Sequence, residues 1–194
     1  MTLGAPQHPT APPPDGYTVH DLLSPPDIPA HVELIDGWLS SDGPQRYFHS
    51  VMTDLLVNGL RSTAPPDARV RRQMTVVIDE RNAPEPDITV VRAAAARGRA
   101  QSYYRVRDVL LAVEVVSPES ETRDRDTKPH KYANAGIPHF WRFEMAGADE
   151  HPVVHAFELD LETRIYCPVD TFREQVKLGA PFDIDIDLTA IDTL

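Results

Sequence analysis

A carboxylate in the middle of an apolar run constrains this chain more than any other feature. Residues 109–116 read Val109, Leu110, Leu111, Ala112, Val113, Glu114, Val115 and Val116. Aliphatic and β-branched residues without polar alternation describe a central strand, covered on both faces. Glu114 breaks that pattern. An ionised carboxylate is costly to bury, so it must be paired, protonated, close to water at a strand end, or bound to a cation. A second acid, Asp87, follows Pro86 at the start of another apolar run, residues 88–91, and Lys128 lies a short way beyond Glu114. On neighbouring strands the two acids would share one end of a sheet. Two acids and a nearby lysine form the minimal set for metal-dependent phosphodiester chemistry.

The elements around these residues read as a mixture of strands and helices. Residues 17–23 suit a short helix, stopped by Ser24, Pro25 and Pro26. Residues 32–39 suit a hairpin about Asp36 and Gly37. Across 45–61, Phe48, Met52, Leu55, Leu56 and Leu60 recur with helical spacing and predict one buried face. Val70, Arg72, Met74, Val76 and Ile78 alternate, which predicts a single strand over 69–78, and the next strand covers 86–91. Residues 93–100 are a loop or a short helix. Ser117 and Pro118 end the central strand; a helix over 126–135 follows, with Pro129 in its first turn and Gly136 as its stop. Strands are predicted at 137–143, 153–159 and 163–169, the last two forming a hairpin about 160–162. Apolar and acidic residues alternate over 182–188, as in an edge strand. No internal repeat is present. Residues 1–15, rich in proline, alanine and threonine, read as a loose tail, and 16–194 as a single domain.

Composition excludes several function classes. No apolar stretch approaches the roughly 20 residues needed to cross a bilayer, and the N-terminus has no basic region followed by an apolar one. A single cysteine, Cys167, rules out an internal disulfide framework and a cysteine-rich metal site; a packing role is expected for it. The expected compartment is the cytoplasm, with no membrane partner. The formal net charge of -11 argues against an indiscriminate nucleic-acid coat. Yet Arg92, Arg97, Arg99, Arg105 and Arg107 occur over 92–107 with no acid between the first and the last. Such a segment can hold one phosphate backbone; the plainer reading is a solvated loop, and both stay open.

Magnesium suits a site built on Asp87 and Glu114, because it prefers oxygen ligands and keeps several waters. Manganese is the natural substitute, and the Val115 carbonyl is a further candidate ligand. An ammonium such as that of Lys128 would stabilise charge on a reacting phosphate. Asp124, Lys128 and Tyr132 fall at i, i+4 and i+8, one face of a continuous helix, which fits either a site or a surface ion pair. Glu33 on the hairpin is a third candidate acid or an exposed strand charge. His49 reads as a structural histidine. No cysteine or histidine cluster has zinc spacing. Neither a phosphate-cradling glycine loop nor a Gly-x-Ser-x-Gly elbow is present.

These residues together give the chain a family resemblance. It resembles the Uma family of restriction-endonuclease-like proteins, a branch of the PD-(D/E)xK nuclease superfamily. The resemblance spans residues 33–188. It rests on Glu33, Leu34, Ile35, Asp36 and Gly37, on His49 with Met52 and Leu56, on Pro86 and Asp87, and on Val113 through Pro118. It continues through Asp124, Lys128, Tyr132 and Ala133 at fixed spacing, then Ala135, Gly136, Ile137, Pro138 and Trp141. The resemblance implies an α/β (α+β) fold with a restriction-endonuclease-like core. Its mixed central sheet would be flanked by helices, with an added N-terminal hairpin and added C-terminal strands. It also implies that Asp87 and Glu114 bind the metal. The superfamily pattern places a lysine two residues after the second acid, where this chain has Val116. The resemblance therefore implies that Lys128 supplies the ammonium from the following helix, with Glu33 and Tyr132 beside it.

The expected activity is magnesium-dependent hydrolysis of DNA, with Asp87, Glu114, Lys128, Glu33 and Tyr132 as the site residues. The alternative is a catalytically inactive nuclease-fold module that binds nucleic acid or a protein. A homodimer through the strand at 182–188 is a further option.

Overall fold

In the computed structural model, which describes residues 13–24, 28–41, 45–118, 120–146 and 151–193, the run carrying Glu114 lies inside a six-stranded sheet. The first described elements are α1 (Val19–Leu23), β1 (Val32–Ile35), β2 (Trp38–Ser41) and α2 (Tyr47–Thr63). Next come β3 (Ala68–Arg72), β4 (Thr75–Val77), β5 (Ile88–Arg92), β6 (Tyr103–Arg105) and β7 (Val109–Val115). A π-helical turn, Arg123–Thr127, leads into α3 (Lys128–Ala135). The remaining strands are β8 (His139–Ala146), β9 (His151–Asp160), β10 (Ile165–Phe172), β11 (Gln175–Leu178) and β12 (Ile184–Asp187), followed by a 3-10 turn at Thr189–Thr193.

The main sheet has the order β10-β9-β8-β7-β5-β3. Only the β7–β8 pair is parallel among its neighbours, and α3 makes that crossover. The sheet is therefore mixed, as expected, with a helix on each face. Leu111, Val113 and Val115 of β7 enter a core with Met52, Leu56 and Leu60 of α2. Ala112 enters a second core with Tyr132, Ile137 and Phe140. Strand periodicity puts Glu114 on the Ala112 face, toward α3.

The hairpin β1–β2 forms about Asp36 and Gly37 as the sequence predicts, with Ile35 opposite Trp38. Helix α2 likewise buries Met52, Leu55, Leu56 and Leu60. The single strand expected over 69–78 is a correction: it is two strands in different sheets. Gln73 takes a φ of 45°, and its N–H donates to the Asp87 carbonyl at 3.1 Å. The chain turns a corner there, so Val70 packs in the α2 core and Val76 in the α3 core. Strand β4 then pairs in parallel with β6. Alternation continues through Gln73 in the sequence and so hides the corner.

The edge strand expected over 182–188 is present as β12, and β11, unforeseen, pairs with it. This ribbon packs on α2 at Gly59, where a Cβ would lie 2.7 Å from Ile186. Cys167 is also corrected: it is exposed on the edge strand β10 rather than packed. The expected tail at 1–15 lies outside the described residues as far as 12; Arg81 reaches back to the carbonyl of Asp15. Pro25 and Pro26, expected to stop α1, also lie outside them. No helix among the described residues is long and apolar enough to cross a membrane.

Candidate active site

Strands β5 and β7 are antiparallel neighbours with Ile88 opposite Val113, so Asp87 falls beside the Glu114 end of β7. The carboxylate of Asp87 is anchored twice. Its Oδ2 accepts the Val115 N–H at 2.8 Å, and its Oδ1 lies 2.8 Å from Nε2 of His49, in the first turn of α2.

Glu114 is 1% exposed and meets two side chains of α3. The Tyr132 hydroxyl donates to its Oε1 at 2.5 Å, and the Lys128 ammonium to its Oε2 at 3.2 Å. Lys128, also 1% exposed, lies 2.9 Å from Glu33 and 3.0 Å from Asp124. One ammonium therefore lies among three carboxylates, hydrogen-bonded to Glu114 and in ion-pair contact with Glu33 and Asp124. Glu33 additionally accepts the Glu85 N–H at 2.9 Å, which ties the hairpin to the segment leading into Asp87.

The electrostatics follow from counting charges in a dry place. Burial pushes the Glu114 carboxyl well above its ordinary pKa; Lys128 opposes this, while Asp124, Asp87 and Glu33 add to it. Asp124 is raised by burial against the pull of Lys128, and Glu85 is raised by burial as well. Burial works against the charge on Lys128, but Glu114, Glu33 and Asp124 outweigh it and hold its pKa well above that of free lysine. The Tyr132 hydroxyl is also held high, by burial first and then by Glu114, so it stays a donor.

Beside this cluster opens a cleft of about 590 Å³, lined by Glu33, Glu85, Asp87, Val115, His49 and His31 together with Arg46, Ser117 and Ser120. Among the described residues no three His, Cys, Asp or Glu side chains close into an ion cage. Magnesium needs none: one or two carboxylates with water and substrate oxygens suffice. The acids lining the cleft, Glu33, Glu85 and Asp87, offer oxygen donors of the kind a hard cation takes, while Glu114 is enclosed by Tyr132 and Lys128.

Sequence comparison decides the family. The family described as "Uma2: Putative restriction endonuclease" matches residues 20–190. The chain belongs to the Uma2 family. Its fold is similar to a crystal structure described as that of a "putative nuclease belonging to DUF820" from Anabaena variabilis ATCC 29413. The TM-score is 0.66 at 15% identity, over 91% of this chain and 97% of that one. No curated protein matches the chain.

Within this Uma2 fold, most of the residues singled out by sequence converge. Glu114, Lys128, Tyr132, Glu33 and Asp124 form one contact network, and Asp87 lies beside it, bonded to the N–H of Val115, the residue after Glu114. The fitting residue at the expected lysine position, Val116, leaves Lys128 to reach Glu114 from α3. Asp124, Lys128 and Tyr132 do share a face, but their ion pair is buried, not superficial. The arginines are elsewhere. Arg92 ends the strand that Asp87 begins, roughly 16 Å away at about 3.3 Å per residue. Arg105 and Arg107 precede β7 at the end opposite Glu114, and all five arginines are exposed.

His49 was expected to be structural, yet it contacts Asp87 directly. Glu85 and His31, paired at 2.7 Å on the cleft wall, were missed altogether. The one available signal was spacing: Glu85 and Asp87 are two apart on an extended segment and so point the same way.

Proposed function

We propose that this Uma2 protein is a metal-dependent phosphodiesterase acting on nucleic acid, DNA before RNA, at the acid-lined cleft. The observation that carries this reading is Glu114. A carboxylate in the central strand, sharing one ammonium with two other acids and lying beside Asp87, is poorly explained by stability alone.

Asp87 and Glu114, with the Val115 carbonyl, would hold magnesium or manganese. A cation there supplies Lewis-acid polarisation of a phosphate oxygen and a lower pKa for attacking water. The remaining work belongs to the chain. The Val115 N–H and His49 fix the Asp87 carboxylate, which limits the reorganisation needed to receive a phosphate. Tyr132 orients Glu114 from behind. Arg46 stands at the cleft, where it can meet a phosphate. The distant arginines of 92–107 would contact backbone on a longer substrate.

Plasmid and oligonucleotide cleavage with and without magnesium, for the native protein and for Asp87→Ala and Glu114→Ala, tests the proposal. Cleavage that survives both substitutions unchanged would sink it. One observation favours a second reading, a non-catalytic binding module: the buried Lys128 ammonium is already held among three carboxylates. A manganese-induced thermal shift that disappears in Asp87→Asn speaks against the second reading, and absence of any shift speaks for it.

A further inference from the structure

We infer that Lys128 is an internal counter-ion that competes with the divalent cation for Glu114, so that cation binding drives its ammonium off that carboxylate. The inference rests on the metal-dependent reading above and adds a role for Lys128 within it.

Geometry gives the first support. The Lys128 ammonium is buried and meets Glu33 at 2.9 Å, Asp124 at 3.0 Å and Glu114 at 3.2 Å. The ammonium is 1% exposed and enclosed by these acids, with its hydrogen bond given to Glu114, so it is closed to a phosphate while the cluster stands. To touch a substrate, Lys128 must release at least one acid. The contact to Glu114 is the one at stake, because that carboxylate is also the one a cation held beside Asp87 would claim.

Charge gives the second. One ammonium faces three carboxylates, with Asp87 a further acid tied to the next residue of the same strand. A divalent cation on Asp87 and Glu114 would offset that excess better than the ammonium does. The two positive charges cannot both sit against Glu114, because repulsion between close like charges is magnified in a buried site. Glu114 therefore has two exclusive partners. When the cation takes it, the ammonium keeps Asp124, one turn away on its own helical segment, and gains a free donor. A phosphate accepting that donor would stabilise the displaced lysine. Cation and nucleic acid would then bind with positive coupling, each raising the affinity of the other.

The lysine thus holds cation affinity down in the absence of substrate, and removing it should tighten cation binding while impairing cleavage. A purely structural lysine predicts the reverse for binding, since its loss would loosen the site. Calorimetric titration of manganese into the native protein, Lys128→Gln and the double variant Asp124→Asn/Lys128→Gln reads this out. The double variant removes one carboxylate with the ammonium, so the formal charge of the cluster is unchanged and folding is favoured. We expect manganese to bind both variants roughly tenfold or more tighter than the native protein. Equal or weaker binding by variants with native circular dichroism would overturn the inference and leave the metal-dependent reading intact. No binding by the native protein or either variant would overturn both. Should neither variant fold, nitrogen-15 NMR of the native lysine ammonium groups under magnesium titration decides. A protected Lys128 signal that loses protection as magnesium saturates supports displacement, and one that stays unchanged refutes it.

Discussion

Two buried glutamates sit side by side on one face of the sheet and have opposite electrostatic fates. Arg142 of β8 lies directly opposite Glu114 of β7, and Glu144 follows two residues later on the same face. Glu144 is 7% exposed, almost as buried as Glu114. Its Oε1 lies 3.0 Å from Arg142 and 3.2 Å from His155, and Arg125 contacts its other oxygen. Burial works against its ionisation, but Arg125 and Arg142 outweigh it and hold its pKa below the ordinary value. Glu114 shares a single ammonium with two more acids and is pushed the other way. The difference is the number of cations per carboxylate. A buried acid is therefore not in itself a sign of a site; an acid left short of positive charge is.

The largest expected effect separates the two glutamates by activity. Glu114→Ala should lower magnesium-dependent cleavage by roughly a thousandfold or more. Glu144→Gln should keep cleavage within about threefold while losing on the order of 2 kcal/mol in urea unfolding, because its arginines lose their charged partner. If Glu144→Gln proved as inactive as Glu114→Ala while remaining folded, charge balance would not distinguish site from scaffold.

A smaller effect sharpens the contrast through pH. Protons and a cation compete for the same carboxylates. Glu114, Asp124 and Glu85 all titrate above their ordinary values, chiefly through burial. Manganese affinity should therefore weaken as pH falls, beginning above the usual carboxylate range, with protons released on binding. Calorimetry in buffers of different ionisation enthalpy measures that release. An affinity flat with pH down to the ordinary carboxylate range would mean that Glu114 is not a ligand.

What the sequence revealed and concealed follows from which information is local. Glu114 was legible because its own strand neighbours declare it buried, and Asp124, Lys128 and Tyr132 because helical spacing puts them on one face. Glu33 read equally as a third acid or an exposed strand charge until the family resemblance placed it at the site, since its partner Lys128 is 95 positions further along the chain. His49 could not be assigned to Asp87 without knowing how the first turn of α2 settles against the end of the sheet. The basic groups around Glu144 carried no signal either, because Arg125, Arg142 and His155 come from three different elements. The fold showed the same division. The hairpin and the central strand follow local rules, whereas the corner at Gln73 interrupts an alternation that looks continuous. Cys167 was misjudged because a lone cysteine says nothing of its place in the sheet, and β10, at the edge, leaves most residues of both faces exposed.

The finest test of the comparison is the sign of each glutamate's contribution to stability against pH, without added cation. Glu144 has a depressed pKa in the fold, so its contribution is present above the unfolded carboxylate value and lost as pH falls through the folded one. Glu114 has a raised pKa, so its contribution is full below the unfolded value and lost as pH rises through the folded one. The two residues thus tilt the stability curve in opposite directions. Glu144→Gln should flatten the acid limb, and Glu114→Gln should flatten the decline on the neutral side, each by on the order of 1 kcal/mol. Urea unfolding from acid to neutral pH measures both slopes. Slopes of the same sign would mean that Glu114, like Glu144, has all the positive charge it needs, and that the acid cluster is scaffold.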